Sequence, residues 1–373
     1  KINYQYYGKV GEAIFSLSRG ILNRRMIDLA EEVGVEFFFE HKIWDVTLAD
    51  ATLHIGETER GEWHDLKYDK VFGADGAFSR IRHRMQRQSL FDYSQEFMKI
   101  GYKELHIPAN EDGTHKIDKN SLHIWPRGNF MLIALPNLDG SFTVTLFLSY
   151  DEGEYNFNNL KTEDNVMKFF KKEFPDALEL MPNLTGDFFQ NPTAPLGTVK
   201  CSPWHYKGNT LLMGDAAHAI VPFYGQGMNA SFEDVVEFDA ILDQNLGDWE
   251  TILKAYEKTR KKDTDAIADL AIDNFHEMKG HVNQTIFQEK RKLEMALEKE
   301  FPDDYSSKYS LVTFNEDIGY RAAMLRGRAQ DKAILNMLTD KKINVNGDLK
   351  EILDKVKQET EAILEDDRIA GLK

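Results

Sequence analysis

Cysteine is almost missing from this chain. Cys201 is the only one in 373 residues, so neither a disulfide framework nor a cysteine-rich metal cluster can be built. Positive charge is also in deficit: 46 Lys and Arg stand against 62 Asp and Glu, a net charge of −16, with a pI of about 5.2. Binding a phosphate backbone needs clustered Lys and Arg, so a general nucleic-acid surface is not expected. No apolar run approaches the ~18 residues of a membrane helix. The longest, such as 130–135, are strand-sized. There is no basic, apolar and small-residue leader pattern, and the chain opens on Lys1 rather than methionine. That start reads as an interior point of a longer protein. Internal repeats and low-complexity tracts are missing too. What remains is ordinary globular composition, 42% hydrophobic, 29% charged and 12% aromatic, long enough for two domains or one large one.

The apolar spacing predicts a helix over 18–34, with Ser18 as N-cap and Gly34 as its stop. Val35 to Phe39 reads as a buried strand, which would make half of a βαβ unit. Residues 44–55 alternate like a small antiparallel excursion, and Tyr68 to Phe72 reads as another strand. Strand candidates then follow at 96–106, 121–125, 130–135 and 141–149, the last two joined by a hairpin signal at Leu138, Asp139 and Gly140. A short helix is expected over 160–180. The α/β style returns with a strand at Asn209 to Met213 and a helix over 226–245. Residues 249–300 are charged and helical. In the tail, Asp348 with Glu351 fits a capping box, and Leu349, Ile352, Leu353, Val356, Ile363 and Leu364 form an apolar stripe.

Two strings carry chemistry. The stronger is GDAAHAIVPFYGQGMN at 214–229. A strand delivers Asp215 at its C-terminal end, where open α/β sheets bind ligands, and a carboxylate there accepts hydrogen bonds from sugar-like hydroxyls. Pro222 fixes a turn. Gly225 and Gly227 let backbone approach a flat ligand. The helix beginning near Gly227, Met228 and Asn229 points its free N–H groups at that ligand and favours negative charge. The second string, GADGAFSRIR at 73–82, again sets an Asp-Gly after an apolar strand. Alone it reads as a simple turn; paired with the first it reads as part of one site.

This pair resembles the class A flavoprotein aromatic hydroxylases, single-component FAD monooxygenases of the p-hydroxybenzoate hydroxylase type. The segments QYYG at 5–8, SLSRGILNR at 16–24, DNFHEM at 273–278 and YSLVTF at 309–314 are similar to the kynurenine-hydroxylating branch, and the likeness covers nearly all of residues 1–325. The resemblance implies a mixed α/β (α+β) fold: an incomplete Rossmann-like FAD-binding domain interleaved with an antiparallel-sheet substrate domain, plus C-terminal helices. It implies FAD-binding parts at 1–90 and 191–246, the substrate layer at 91–190 and a helical region at 247–373. It places Arg19 on the FAD diphosphate, Asp215 on the ribityl chain, and Pro222, Gly227, Met228 and Asn229 against the flavin ring. Asp75 belongs to a motif associated with FAD and NADPH. Tyr7, Asn274 and Tyr309 would hold the amino-acid end of L-kynurenine, and Phe223 and Met278 would line the ring pocket. No side chain is assigned as a catalytic base; His218 is read as part of the turn and Cys201 as structural.

The implied reaction is NADPH- and O2-dependent hydroxylation of L-kynurenine to 3-hydroxykynurenine through a flavin C4a-hydroperoxide, a step of tryptophan catabolism and NAD biosynthesis in a cytoplasmic enzyme without a membrane anchor. The family opens with a strand, a Gly-x-Gly-x-x-Gly turn and a helix, and no such string occurs here. By that comparison roughly 90 N-terminal residues are absent, about one mononucleotide-binding half, along with the family's substrate-carboxylate arginine. Two other readings stay open: a related FAD monooxygenase for another aromatic substrate, and a flavin-free fragment without activity.

Overall fold

The computed structural model describes residues 11–57, 61–244, 247–278 and 285–369. Along the chain, Ser18 caps α1 (Arg19–Glu32) by accepting the Ile21 N–H at 3.5 Å. Then come β1 (His41–Thr47), β2 (Thr52–Glu57), β3 (Trp63–Lys67), β4 (Val71–Gly73) and α2 (Arg80–Met85). Next are β5 (Asp92–Ile107), β6 (His123–Pro126), β7 (Met131–Pro136), β8 (Phe142–Ser149), α3 (Glu163–Glu173), α4 (Pro175–Leu178) and α5 (Leu184–Gln190). The second half holds β9 (Thr193–Ser202), β10 (His205–Tyr206), β11 (Thr210–Leu212), α6 (Asp215–His218), a 3₁₀ turn (Pro222–Tyr224), α7 (Gly227–Asp243) and α8 (Trp249–His276). It ends with α9 (Thr285–Glu300), α10 (Lys308–Thr313), α11 (Tyr320–Thr339) and α12 (Leu349–Ile369). No described helix is long and apolar enough to cross a membrane.

These elements form two compact units. One contains Ile14–Asp69 and Ser94–Thr198. Its larger sheet runs in the order β6-β7-β8-β5-β9, with β5 and β8 antiparallel from Ile100 opposite Ser149 to Ile107 opposite Phe142. Alternation along β8 turns Val144, Leu146 and Leu148 into a core with Phe169, Phe170 and Phe174. The antiparallel layer therefore forms where the alternating sequence places it. The helix expected over 160–180 is broken after Glu173, because Pro175 lacks an N–H and forces Phe174 out of helical backbone.

The β1-β2 pair also follows the expected excursion, and β3 adds a third strand that the alternation at 44–55 does not indicate. Val35 to Phe39 does not follow its expectation. The segment is irregular, and Val35, Phe37, Phe38 and Phe39 are exposed. Apolar side chains mark a strand only when a neighbouring strand takes up its backbone groups, and none among the described residues does. Helix α1 likewise has the predicted N-cap and lies within the predicted range, but buries no residue among the described ones.

The second unit contains Lys70–Tyr93 and Val199–Lys373. Its sheet has the order β10-β11-β4, with β11 parallel to β4 and Leu212 opposite Gly73. The strand expected at Tyr68 begins instead at Val71, where pairing begins. Parallel pairing brings the C-terminal ends of β4 and β11, and hence both motifs, to one edge. Helices α9, α11 and α12 share a core of Leu293, Leu297, Ala333, Ile334, Leu353 and Val356. Asp348 caps α12 as predicted, accepting the Glu351 N–H at 2.8 Å.

Candidate functional site

The 214–229 string is held from below by one carboxylate. Gly214 sits at φ 57° and ψ −143°, backbone that side-chain-bearing residues rarely adopt, and this bends the chain from β11 into α6. Asp234, on α7 and fully buried, accepts the Gly214 N–H at 2.9 Å and the His218 Nε2 at 2.6 Å through Oδ2. Its Oδ1 accepts Arg260 Nε at 2.9 Å. Arg260 also donates to the Ala230 carbonyl at 3.1 Å and pairs with Glu233 at 3.0 Å. Burial alone would raise the pKa of Asp234, but His218, Arg260 and the Gly214 N–H outweigh it and leave it lowered. Burial does raise Glu233, despite Arg260. Both ends of the turn are thus fixed, and Asp215 is left exposed beyond the end of β11. His218 is committed to this frame, as its place in the turn suggested.

The 73–82 string is tied to it by a buried arginine. Asp75 accepts the Arg80 N–H at 2.7 Å and the Ile81 N–H at 3.4 Å, while Ser79 accepts the Arg82 N–H at 2.9 Å. Both side chains therefore start α2. Arg82 donates to the Ala216 carbonyl at 2.6 Å and to the Ala77 carbonyl, one from each motif. Sequence reasoning missed the roles of Arg82, Asp234 and Arg260. All are charged residues, which are rarely buried, and only their partners in space reveal them.

Beyond the turn, Pro222 is exposed, Phe223 and Tyr224 are buried, and Gly225 takes left-handed backbone at φ 70°. Helix α7 starts at Gly227, and the side chain of its N-cap Gln226 makes no bond to the leading N–H groups. Gln226 accepts instead from Asn229 Nδ2 at 2.9 Å and from the Tyr320 hydroxyl at 3.2 Å. Met228 and Asn229 are exposed on the first turn. An exposed carboxylate, an uncapped helix start and an exposed Pro-Met-Asn surface follow one another within 15 residues, Asp215 to Asn229. As a donor and acceptor set they fit a flat, hydroxyl-bearing group that carries or develops negative charge.

Three of the residues proposed for a substrate meet at this turn. Asn274, on α8, donates to the Phe223 carbonyl at 2.6 Å and lies 3.8 Å from the Met278 sulfur. The Phe223 ring stands 4.6 Å from Phe275. Tyr309 joins through Tyr224, stacking on it at 5.6 Å with the planes 17° apart. Tyr7 lies outside the described residues. Arg19 is exposed as the first residue of α1, in the other unit.

Comparison with known proteins gives the family and the fold. The FAD binding domain family matches residues 9–271. Kynurenine 3-monooxygenase of Flavobacterium johnsoniae is 58% identical over 331 residues, covering 89% of this chain and 74% of that protein. The protein of the same name from Dictyostelium discoideum is 44% identical, covering 89% and 74%. Among solved structures, a single-site mutant of 2-methyl-3-hydroxypyridine-5-carboxylic acid oxygenase superposes with a TM-score of 0.58 at 20% identity, covering 74% of this chain and 71% of that one. Klebsiella pneumoniae HpxO complexed with FAD and uric acid gives 0.57 at 19% identity, covering 74% and 68%. At these identities the two structures speak for the fold alone.

Proposed function

The chain belongs to the kynurenine 3-monooxygenase family and carries its FAD-binding domain, and on that premise we propose how its residues divide the work of hydroxylating L-kynurenine to 3-hydroxykynurenine with NADPH and O2. As a family member it is an FAD-dependent aromatic monooxygenase. The observation that carries the proposal is the meeting of Asn274, Phe223 and Met278 at the turn that leads into the uncapped start of α7.

The residues present fit FAD. Asp215 would accept hydrogen bonds from its ribityl hydroxyls, and Arg19 would meet its diphosphate. Asp75 would support the cofactor side through the turn that it caps. Pro222, Gly227, Met228 and Asn229 would border the flavin ring, with the amides of α7 favouring negative charge on it. When bound, the flavin supplies the redox chemistry and the activation of O2. The protein's own part is binding and placement. Tyr7, Asn274 and Tyr309 would hold the amino-acid end, and Phe223 and Met278 would pack on the aromatic ring. The substrate's ring amino group activates its own ortho carbon, so no protein base is needed at that position. The antiparallel layer at 91–190 is the substrate domain in this reading, the parts 1–90 and 191–246 bind FAD, 247–373 is the helical region, and the enzyme works in the cytoplasm.

The test is direct. Purified protein is examined for a flavin spectrum, and NADPH oxidation is followed with and without L-kynurenine. Kynurenine-stimulated oxidation with a product heavier by one oxygen atom is expected. Bound FAD with no kynurenine response would reject the substrate and leave the cofactor.

A further inference from the structure

Away from the flavin motifs, a chain of largely buried charges in the second unit links α9, α10 and α11. Lys308 opens α10 and is 7% exposed. Its ammonium lies 2.7 Å from Asp331 on α11 and also pairs with Glu277, just past the end of α8. Asp331 reaches Lys290 on α9 at 2.7 Å, and Lys290 pairs with Glu294 at 2.9 Å. Burial would lower the pKa of Lys308, but the two carboxylates outweigh it and hold it raised. Burial would likewise raise Asp331, but Lys290 and Lys308 hold it lowered. Both shifts favour the charged forms of Lys308 and Asp331. Ion pairs this deep are poor sources of net stability, since desolvation offsets most of their attraction. What they do supply is a fixed geometry.

That geometry ends on the substrate side. Lys308 immediately precedes Tyr309, and its carbonyl accepts the Tyr224 hydroxyl at 3.4 Å. Burial pushes the Tyr224 phenol well up, so it stays a donor. Glu277 lies between Asn274 and Met278 in the sequence. One ammonium thus joins the segment bearing Tyr309 to the segment bearing Asn274 and Met278. We propose that Lys308, clamped by Asp331 and Glu277, is a positioning residue that sets Tyr309 against Tyr224 and fixes the end of α8, so that the two segments hold the amino-acid end of the substrate at one spacing. The inference rests on the function proposed above, and adds to it a requirement on residues that touch neither substrate nor flavin.

The experiment uses the FAD-loaded protein and four variants. Lys308→Met keeps the stem and removes the charge. Asp331→Asn keeps the shape and removes the partner, and carries the same readout should the first variant not fold. Lys308→Arg restores the charge on a stem identical through Cγ. Leu353→Ala weakens the shared core of α9, α11 and α12 without touching the charges. Kynurenine affinity is read from the flavin absorbance change, and coupling from product formed per NADPH oxidised. Lys308→Met and Asp331→Asn are expected to weaken kynurenine binding about ten- to a hundredfold and to lower coupling, the scale set by misplacement of about 1 Å. FAD content and the KM for NADPH should not move. Lys308→Arg should recover most of the loss, and Leu353→Ala should lower Tm alone. A folded Lys308→Met protein with parental kynurenine affinity overturns the inference, as does an equal loss in Leu353→Ala. A parent protein that binds FAD but not kynurenine overturns the functional reading itself, and this inference with it; that result is seen before any variant is made.

Discussion

Asp234 shows how much one side chain can organise when it is fully buried. It holds the start of the Gly214 turn, the His218 side chain and the Arg260 guanidinium at once. Removing one partner from such a set costs about 3–5 kcal/mol, so Asp234→Ala should lower stability by that order in a denaturant melt. Apparent FAD affinity should fall with it, because the turn that presents Asp215 loses its anchor. The pH dependence follows from the lowered folded pKa. Above the ordinary aspartate value of about 3.9 the contribution of Asp234 is complete, and it is lost as pH falls through the lower folded value. The acid limb of stability against pH should therefore flatten in Asp234→Ala. An unchanged acid limb would assign that loss of stability to other carboxylates. At this scale the sequence was readable where the chemistry was local. The strings 73–82 and 214–229 located two strand ends and two turns. Arg82 and Arg260 were not readable, because the carbonyls of Ala216 and Ala230 that they reach lie far off in sequence.

Helices and strands were legible in proportion to how much of their reason lay within them. The alternation of β8, the cap and stripe of α12 and the start of α7 come from local spacing, and the structure places them there. The break at Pro175 depends on a proline clash, and the irregular course of Val35 to Phe39 goes with the lack of a strand partner among the described residues, neither of which period counting weighs. Helices α10 and α11 lie within the helical region expected at 247–373, which carries no boundaries for them, and their crossing depends on one glycine. A Cβ on Gly327 would stand 2.5 Å from Lys308 Cγ, 2.7 Å from its Cβ and 3.0 Å from its Cα. Alanine in mid-helix returns about 1 kcal/mol of propensity. Forced overpacking costs about 1–3 kcal/mol or more, and no rotamer change moves a Cα. The second effect should win, so Gly327→Ala should lower Tm. A Tm equal to or above the parent's would show that α10 shifts along α11 at little cost.

For the whole molecule, two of the cores among the described residues differ in make-up: one packs six phenylalanines with the aliphatic face of the antiparallel sheet, and the other is mostly aliphatic and lies among the last helices. The deficit of positive charge sets the character of the surface, while several of the arginines and lysines that matter most are buried in the charge networks. The single cysteine belongs to this scale. Cys201 is 2% exposed, its Sγ lies 3.2 Å from the Ala217 carbonyl in α6, and burial pushes its thiol up to about 12. The thiolate, the form that attacks reagents, is thus scarce, and reagents have no path to it while the chain is closed. The chain therefore carries an internal clock with one hand: a chromogenic disulfide reagent can register only when the segment under the Gly214 turn opens. Modification should be slow in buffer, fast and stoichiometric at one thiol in denaturant, and slower still with FAD present, since a ligand bound to the closed form draws population away from the open one. Equal rates with and without denaturant would mean that this part of the molecule opens freely, and the reagent would then report its breathing rather than its unfolding.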